Sequence, residues 1–361
     1  MKRFVFLLLA VWLFSVPALA VEDLEQGLGV AELEQALPEE AGEIFPELEA
    51  DASVWDEALN MLWDWFAENS MPVLRGALSS AVSIIAILML CAAAESLSGG
   101  VGPDYIALGG ALGISAVAAG DVRSFIGLGE QTLRSLADFG AMLLPCVAAA
   151  GAAAGNAGAS GAMYAATALF MELLLTLCSG VVMPLIHLYL AAVTARAALG
   201  TGALDAAVQV TKWLCVTAMT VLMTVFTAYF SVTGAVGSTS DAAAAKVAKA
   251  AISAALPVVG KIVSGAAGSV VASATVLRAG VGVFGLLAVM GVCAWPFLVL
   301  GVHYLVYKAA ALIGTGLSGS RLGALIGGIG TAFGMVLGLT GCGALMLFFA
   351  LVSGMKAVSP L

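Results

Sequence analysis

Strongly apolar stretches recur along the chain, broken by short polar or glycine-rich intervals. Several match the ~20 residues that carry a helix across ~30 Å of hydrocarbon. They fall at about Gly76–Ala94, a shorter Asp104–Gly120, an Ala/Gly-rich Ala141–Ala157, Gly161–Ala195, Trp213–Val236, Val281–Leu305 and Thr331–Ser353. Gly161–Ala195 is too long for one crossing, since its 35 residues make ~52 Å of helix. Gly180 and Pro184 sit in its middle, and proline breaks or kinks a helix. The run therefore reads as two tightly joined spans, or as one span plus a re-entrant piece. The pattern predicts an all-α, polytopic membrane helix bundle of seven or eight transmembrane helices.

Three segments show helical periodicity without the hydropathy of a span. After a capping-box-like Ser53-Val-Trp-Asp56, Trp55, Leu59, Leu62, Trp63 and Phe66 line one face. With Pro72 just beyond, this helix is expected to lie at the membrane interface, its tryptophans among the headgroups, or to dock a partner protein, or both. In 121–139, Val122, Phe125, Ile126, Leu133, Leu136 and Phe139 form a stripe with charges elsewhere, the mark of a second interfacial helix. Ser238–Gly282 is half-apolar and basic, and is expected to form two short amphipathic helices hinged or re-entrant at Pro257 and Gly260. Met1–Ala20, with two positive charges, an apolar run and Ala18-Leu19-Ala20, has the layout of a secretory signal. The predicted organisation is thus a signal peptide at 1–20, an acidic extracytoplasmic segment with its amphipathic helix at 21–74, and a multi-pass domain at 75–361 in which 121–139 and 238–280 are amphipathic or re-entrant.

Composition strengthens the membrane reading. Of 361 residues, 61% are hydrophobic and 10% charged, against about 45–50% and about 25% in soluble domains. The net charge of −9 comes from residues 21–74, which hold fifteen Asp or Glu and no Lys or Arg. The rest is mildly basic and offers no face for nucleic acid.

Little of the sequence suggests chemistry. The six cysteines lie singly in apolar segments, without metal or disulfide spacing. Gly280–Gly285 and Gly314–Gly319 match G-x-G-x-x-G but neither follows a strand, so no nucleotide site or other cofactor is expected. The intramembrane candidates are Glu172 and His187, because ionisable groups at membrane depth are costly and mark ion or proton paths. His303, beside Tyr304, Tyr307 and Lys308, reads as an interfacial residue. Gly151 and Gly155, then Gly330, Gly334 and Gly338, recur at four-residue spacing and suit close helix packing or self-association. No catalytic arrangement stands out, so the chain does not read as an enzyme.

Leu256-Pro257-Val-Val-Gly260-Lys261 and Ser273-Ala-Thr-Val-Leu-Arg278-Ala-Gly-Val-Gly282 resemble segments of the stage III sporulation protein AE family. So do Asp138-Phe-Gly-Ala-Met-Leu-Leu-Pro145, Val182-Met-Pro184-Leu and the glycine-rich final hairpin. The resemblance implies a subunit of the channel-like complex joining mother cell to forespore. Such a subunit sits in the mother-cell-derived outer forespore membrane, beside the other membrane proteins of its operon and in contact with the bilayer, as a homo-oligomer or not. The alternative from the residues is an autonomous secondary transporter with a midplane site at broken helices, Gly180–Pro184 and Pro257–Gly260. The side faced by Ser238–Gly282 separates the span counts. Five spans before it place it in the cytoplasm, which its basic charge slightly favours, and six place it outside.

Overall fold

The structure, a computed structural model, describes residues 54–98, 103–151, 176–200, 204–228, 259–317 and 320–356, with Ile44, Gly202 and a few positions between 168 and 173 besides. Every element among them is helical. In chain order they are α1 (Val54–Leu97), α2 (Pro103–Gly151), α3 (Met183–Leu199), α4 (Leu204–Ala228), α5 (Val259–Leu317) and α6 (Ser320–Lys356). A π-helical turn, Cys178–Val182, leads into α3. Six helices among the described residues are long and apolar enough to cross a membrane. This protein is a polytopic helix bundle, with fewer spans among the described residues than the seven or eight read from hydropathy.

The α5–α6 hairpin is the centre of the bundle. Residues equidistant in sequence from the junction of its two helices face each other along its length: a Cβ on Gly323 would meet the Gly314–Thr315 backbone, one on Gly330 the Tyr307 Cβ, and one on Gly341 the Phe297 ring. α2 packs antiparallel to α5, with Tyr307 on Asp121 and Phe125 against His303. Deeper along the pair, Leu143 and Leu351 close on Gly285. α1 runs alongside α5, from Trp65 against Trp295 to Leu88 at Gly314. In the most apolar stretches of α5 and α6, 72% and 67% of residues are buried, against 28–39% in α1–α4. The outer four helices surround a hairpin core.

Several expected boundaries are absent. The span at 104–120 and the interfacial helix at 121–139 are one helix, α2, which also absorbs the first part of Ala141–Ala157; the remainder of that run lies outside the described residues. The cause is tertiary. The stripe Phe125, Leu133, Leu136 and Phe139 is buried against the bundle, and Asp121 accepts a hydrogen bond from Tyr307, so the charge does not end the helix. The helix at 54–66 likewise continues through Pro72 into the first span. Glu68, whose carbonyl the proline leaves without an amide partner, and Pro72 are both exposed, so water or headgroups can satisfy that oxygen. Its buried face carries Ala58 and Trp65, while Trp63 is 74% exposed. At 44 and 49 residues, α1 and α2 measure ~66 and ~74 Å. Even a 40° tilt takes up only ~39 Å in a ~30 Å bilayer, so both extend beyond the hydrocarbon.

The two short helices expected in Ser238–Gly282 are also revised. Residues up to Pro257 lie outside the described residues, but Val259 opens α5, which runs unbroken to Leu317 and carries Gly260 in its first turn. Leu97, Pro103, Leu199, Leu204, Leu317 and Ser320 gather at one end of the bundle. Arg321 there bonds Asp104 at 2.8 Å and abuts Gly200, while Arg196 bonds Asp205 at 3.1 Å. Gly200 ends α3 at φ 65°, the left-handed value that favours glycine. α4 therefore ends and α5 begins at the far end of the bundle, the end that also holds Val54. With a translocated amino terminus that end is extracytoplasmic, opposite to the slight lean of the charges.

Candidate functional site

A layer of polar side chains crosses the middle of the bundle. Lys308 lies nine residues from Leu317, ~13 Å along the axis, which is about half the hydrocarbon thickness from the hairpin turn. At this level Tyr307 is fully buried and donates its hydroxyl to Asp121 Oδ2 at 2.7 Å. Asp121 and Phe125 stand one turn apart on α2, as do His303 and Tyr307 on α5, so each pair projects from one face. The His303 ring lies 4.4 Å from Phe125, and Phe333 of α6 sits edge-on to Phe125 at 4.7 Å and to Tyr307 at 4.9 Å. His303 Nδ1 is 2.9 Å from the Val299 carbonyl. A carbonyl only accepts, so Nδ1 carries the hydrogen. Asp121 also acts electrostatically on this imidazole.

A second group shares the layer. Lys308 Nζ donates to Gly327 O at 2.9 Å and to Thr331 Oγ1 at 2.7 Å, and lies 5.8 Å from the Tyr304 ring centre. Thr331 passes its own hydrogen to Gly327 O at 2.8 Å. The glycines of α6 make this possible. A Cβ on Gly330 would stand 3.2 Å from Tyr307 Cβ and one on Gly334 3.0 Å from the Tyr304 ring. α6 thus comes close enough for its carbonyl at 327 to reach a lysine on α5. Together these bonds tie α2 to α5 and α5 to α6. The layer fixes helix register at membrane depth.

The residues singled out in the sequence are scattered. Glu172 and His187 are both exposed and outside the layer. His187 Nδ1 contacts only its own helix, at Met183 O, 2.9 Å. Pro184 follows the π turn, where the Met183 amide reaches back five residues to Cys178 O. The widened turn carries the chain past a proline that lacks an amide hydrogen, without breaking the helix. Gly330 and Gly334 pack within the hairpin, whereas Gly338 faces α4, with only Met219 Sδ at 4.0 Å. Gly151 ends α2, and Gly155 and Pro257 lie outside the described residues. Gly280–Gly285 runs inside a helix and Gly314–Leu317 ends one. Sequence reasoning missed Asp121 and assigned His303 to an interface. Its signal was the four-residue spacing of His303 and Tyr307 within an apolar run, but their partner is 186 residues from Tyr307.

The family model described as stage III sporulation protein AE matches residues 103–357, from the start of α2 to the end of α6. No curated protein and no solved structure matches the chain. The match spans all the helices that build the polar layer, and the chain belongs to the stage III sporulation protein AE family.

Proposed function

We propose that this multi-pass sporulation protein is a membrane subunit of the channel complex joining mother cell and forespore. It is made in the mother cell, sits in the outer forespore membrane, and acts by assembly with the other membrane proteins of its operon rather than by catalysis. The family match over residues 103–357 carries this reading. The geometry supports it in one respect: the polar groups at membrane depth bond to one another across α2, α5 and α6 and so hold a fixed scaffold. The test is an affinity pulldown of the full chain after crosslinking in sporulating cells. Recovery of other sporulation membrane proteins is expected, and recovery of none would remove the main support.

Two features favour a second reading, an autonomous transporter for a small solute. The π turn before Pro184 is of a kind often found at functional sites, and the Asp121–Tyr307–His303 group lies near the midplane, where transporters bind their cargo. Purified protein alone in liposomes would then move a solute, and Asp121→Asn would abolish the movement.

A further inference from the structure

Among the described residues, two lysines at membrane depth meet no acid. Lys308 on α5 is half-buried and bonds only to a carbonyl and a hydroxyl. Lys212 on α4 is exposed. Among the described residues the ion pairs are Arg196–Asp205 and Arg321–Asp104, both at the hairpin end of the bundle. Lys212 is eight residues from Leu204 and Lys308 nine from Leu317, so both stand ~12–14 Å in from that end. Uncompensated charge at this depth is costly, and where it persists a counter-charge is usually at hand.

An open groove of 660 Å³ between α4 and α6 lies at the next level down. It is lined by Val216, Met219, Thr220 and Met223, with Gly338 and Cys342 across from them. Thr220 and Thr224 give their hydroxyl hydrogens to carbonyls of their own helix, at 2.8 and 2.7 Å, so their methyls remain for contact. An apolar channel with a glycine wall suits the close approach of another helix. The cations at its head specify what that helix carries.

We propose that this groove receives a transmembrane helix of a different protein, apolar along Val216–Met223 and bearing one Asp or Glu at the level of Lys212 and Lys308. A second copy of this chain does not fit. Parallel copies in one membrane meet at equal depth, and the acid near this depth, Asp121, is turned inward onto Tyr307. Glu172 precedes both the π turn and α3, and so lies on the far side of a helical run, 178–199, that already exceeds the hydrocarbon. The proposal rests on the reading of the chain as a complex subunit and names how one partner is held.

The test places a photoreactive amino acid at Thr220 of the full chain in sporulating cells, with Leu112, on an exposed part of α2, as control. The expected adduct joins Thr220, but not Leu112, to a membrane-protein segment that contains an acidic residue. Lys212→Leu should lower its yield by about tenfold or more, since truncating one member of a desolvated charge pair acts on dissociation. Lys212→Arg should retain it. Lys212→Glu should abolish it, and exchanging the partner's acid for lysine should restore it, which also guards against a variant that merely folds poorly. An adduct with lipid, with a second copy, or with a segment lacking an acid would overturn the proposal, as would a yield indifferent to Lys212→Leu. If the pulldown returns partners while Thr220 captures none, the docking site fails and the subunit reading stands; if both return nothing, the subunit reading fails.

Discussion

The glycines of the α5–α6 hairpin allow a graded test of what holds the bundle together. Adding one methyl at each by substitution with alanine changes helix propensity alike, so differences between sites isolate the clash. At Gly323 the new Cβ would stand 2.7 Å from the Thr315 amide nitrogen and 3.0 Å from the Gly314 carbonyl carbon. Both are backbone atoms, so relief requires the helices to part by several tenths of an ångström. Overpacking of that kind costs about 1–3 kcal/mol. At Gly330 the contact is 3.2 Å from the Tyr307 Cβ, a milder crowding, and at Gly301 nothing lies within 4 Å. The expected order of stability is Gly301→Ala, then Gly330→Ala, then Gly323→Ala, with about 2 kcal/mol between the first and last. Gly338→Ala, whose new methyl meets only Met219 Sδ at 4.0 Å, should group with Gly301→Ala. The free buried thiols Cys293 and Cys215 provide the assay. A thiol-reactive fluorogenic dye reports their exposure as the detergent-solubilised protein is heated. If Gly323→Ala and Gly301→Ala unfold at the same midpoint while Gly338→Ala is the outlier, the hairpin is not the close-packed core and the glycine row faces elsewhere.

Other outcomes follow from the same contacts. Tyr307→Phe and Asp121→Asn should each destabilise the bundle, and their double-mutant cycle should give a coupling of about 0.6–1.7 kcal/mol, the range for interhelical hydrogen bonds in membranes; additive effects would deny the bond. Arg321→Gln, which loses only the exposed pair with Asp104, should shift stability by less than about 1 kcal/mol in the same assay. Gly334→Leu should block assembly or folding by driving a side chain into the Tyr304 ring, 3.0 Å from the position of its Cβ; normal accumulation would count against it. Single cysteines at Ser98, Gly202 and Ser320 should all be labelled from one side of the membrane, and one at Asp138 from the other; mixed labelling of the first three would overturn the up-and-down topology.

The membrane helices were legible because hydrocarbon demands long apolar runs and leaves little room for other patterns. Where elements end was less so. Asp121 and Arg123 mark a boundary when read locally, yet Asp121 is accommodated within a span because Tyr307 reaches it from α5. Likewise the stripe at 54–66 fits helical spacing with Trp63 or Trp65 inward, and the choice rests on Trp295, more than two hundred residues on. Polar residues within apolar runs attracted attention at Glu172 and His187 for their isolation. The structure leaves those two exposed and gathers His303, Tyr307 and Lys308 with Asp121 and Thr331. Isolation in sequence does not distinguish a residue facing lipid from one whose partner lies on another helix.

The distribution of burial bears on the choice between scaffold and transporter. A transporter that rocks two repeat-related halves needs its site between bodies that move against each other. Here the polar layer is anchored on one hairpin, with Asp121 of α2 bonded to its first arm and Lys308 joining the two arms. Movement of α2 against the hairpin would break a hydrogen bond at membrane depth, where no water replaces it. α4 is joined to this layer by no bond among the described residues; it carries Lys212 on an exposed face and borders the open groove. Substitutions should therefore divide by location. Those in α2, α5 and α6 should act on stability of the protein by itself, and those on the outer face of α4 should act only when its partner is present.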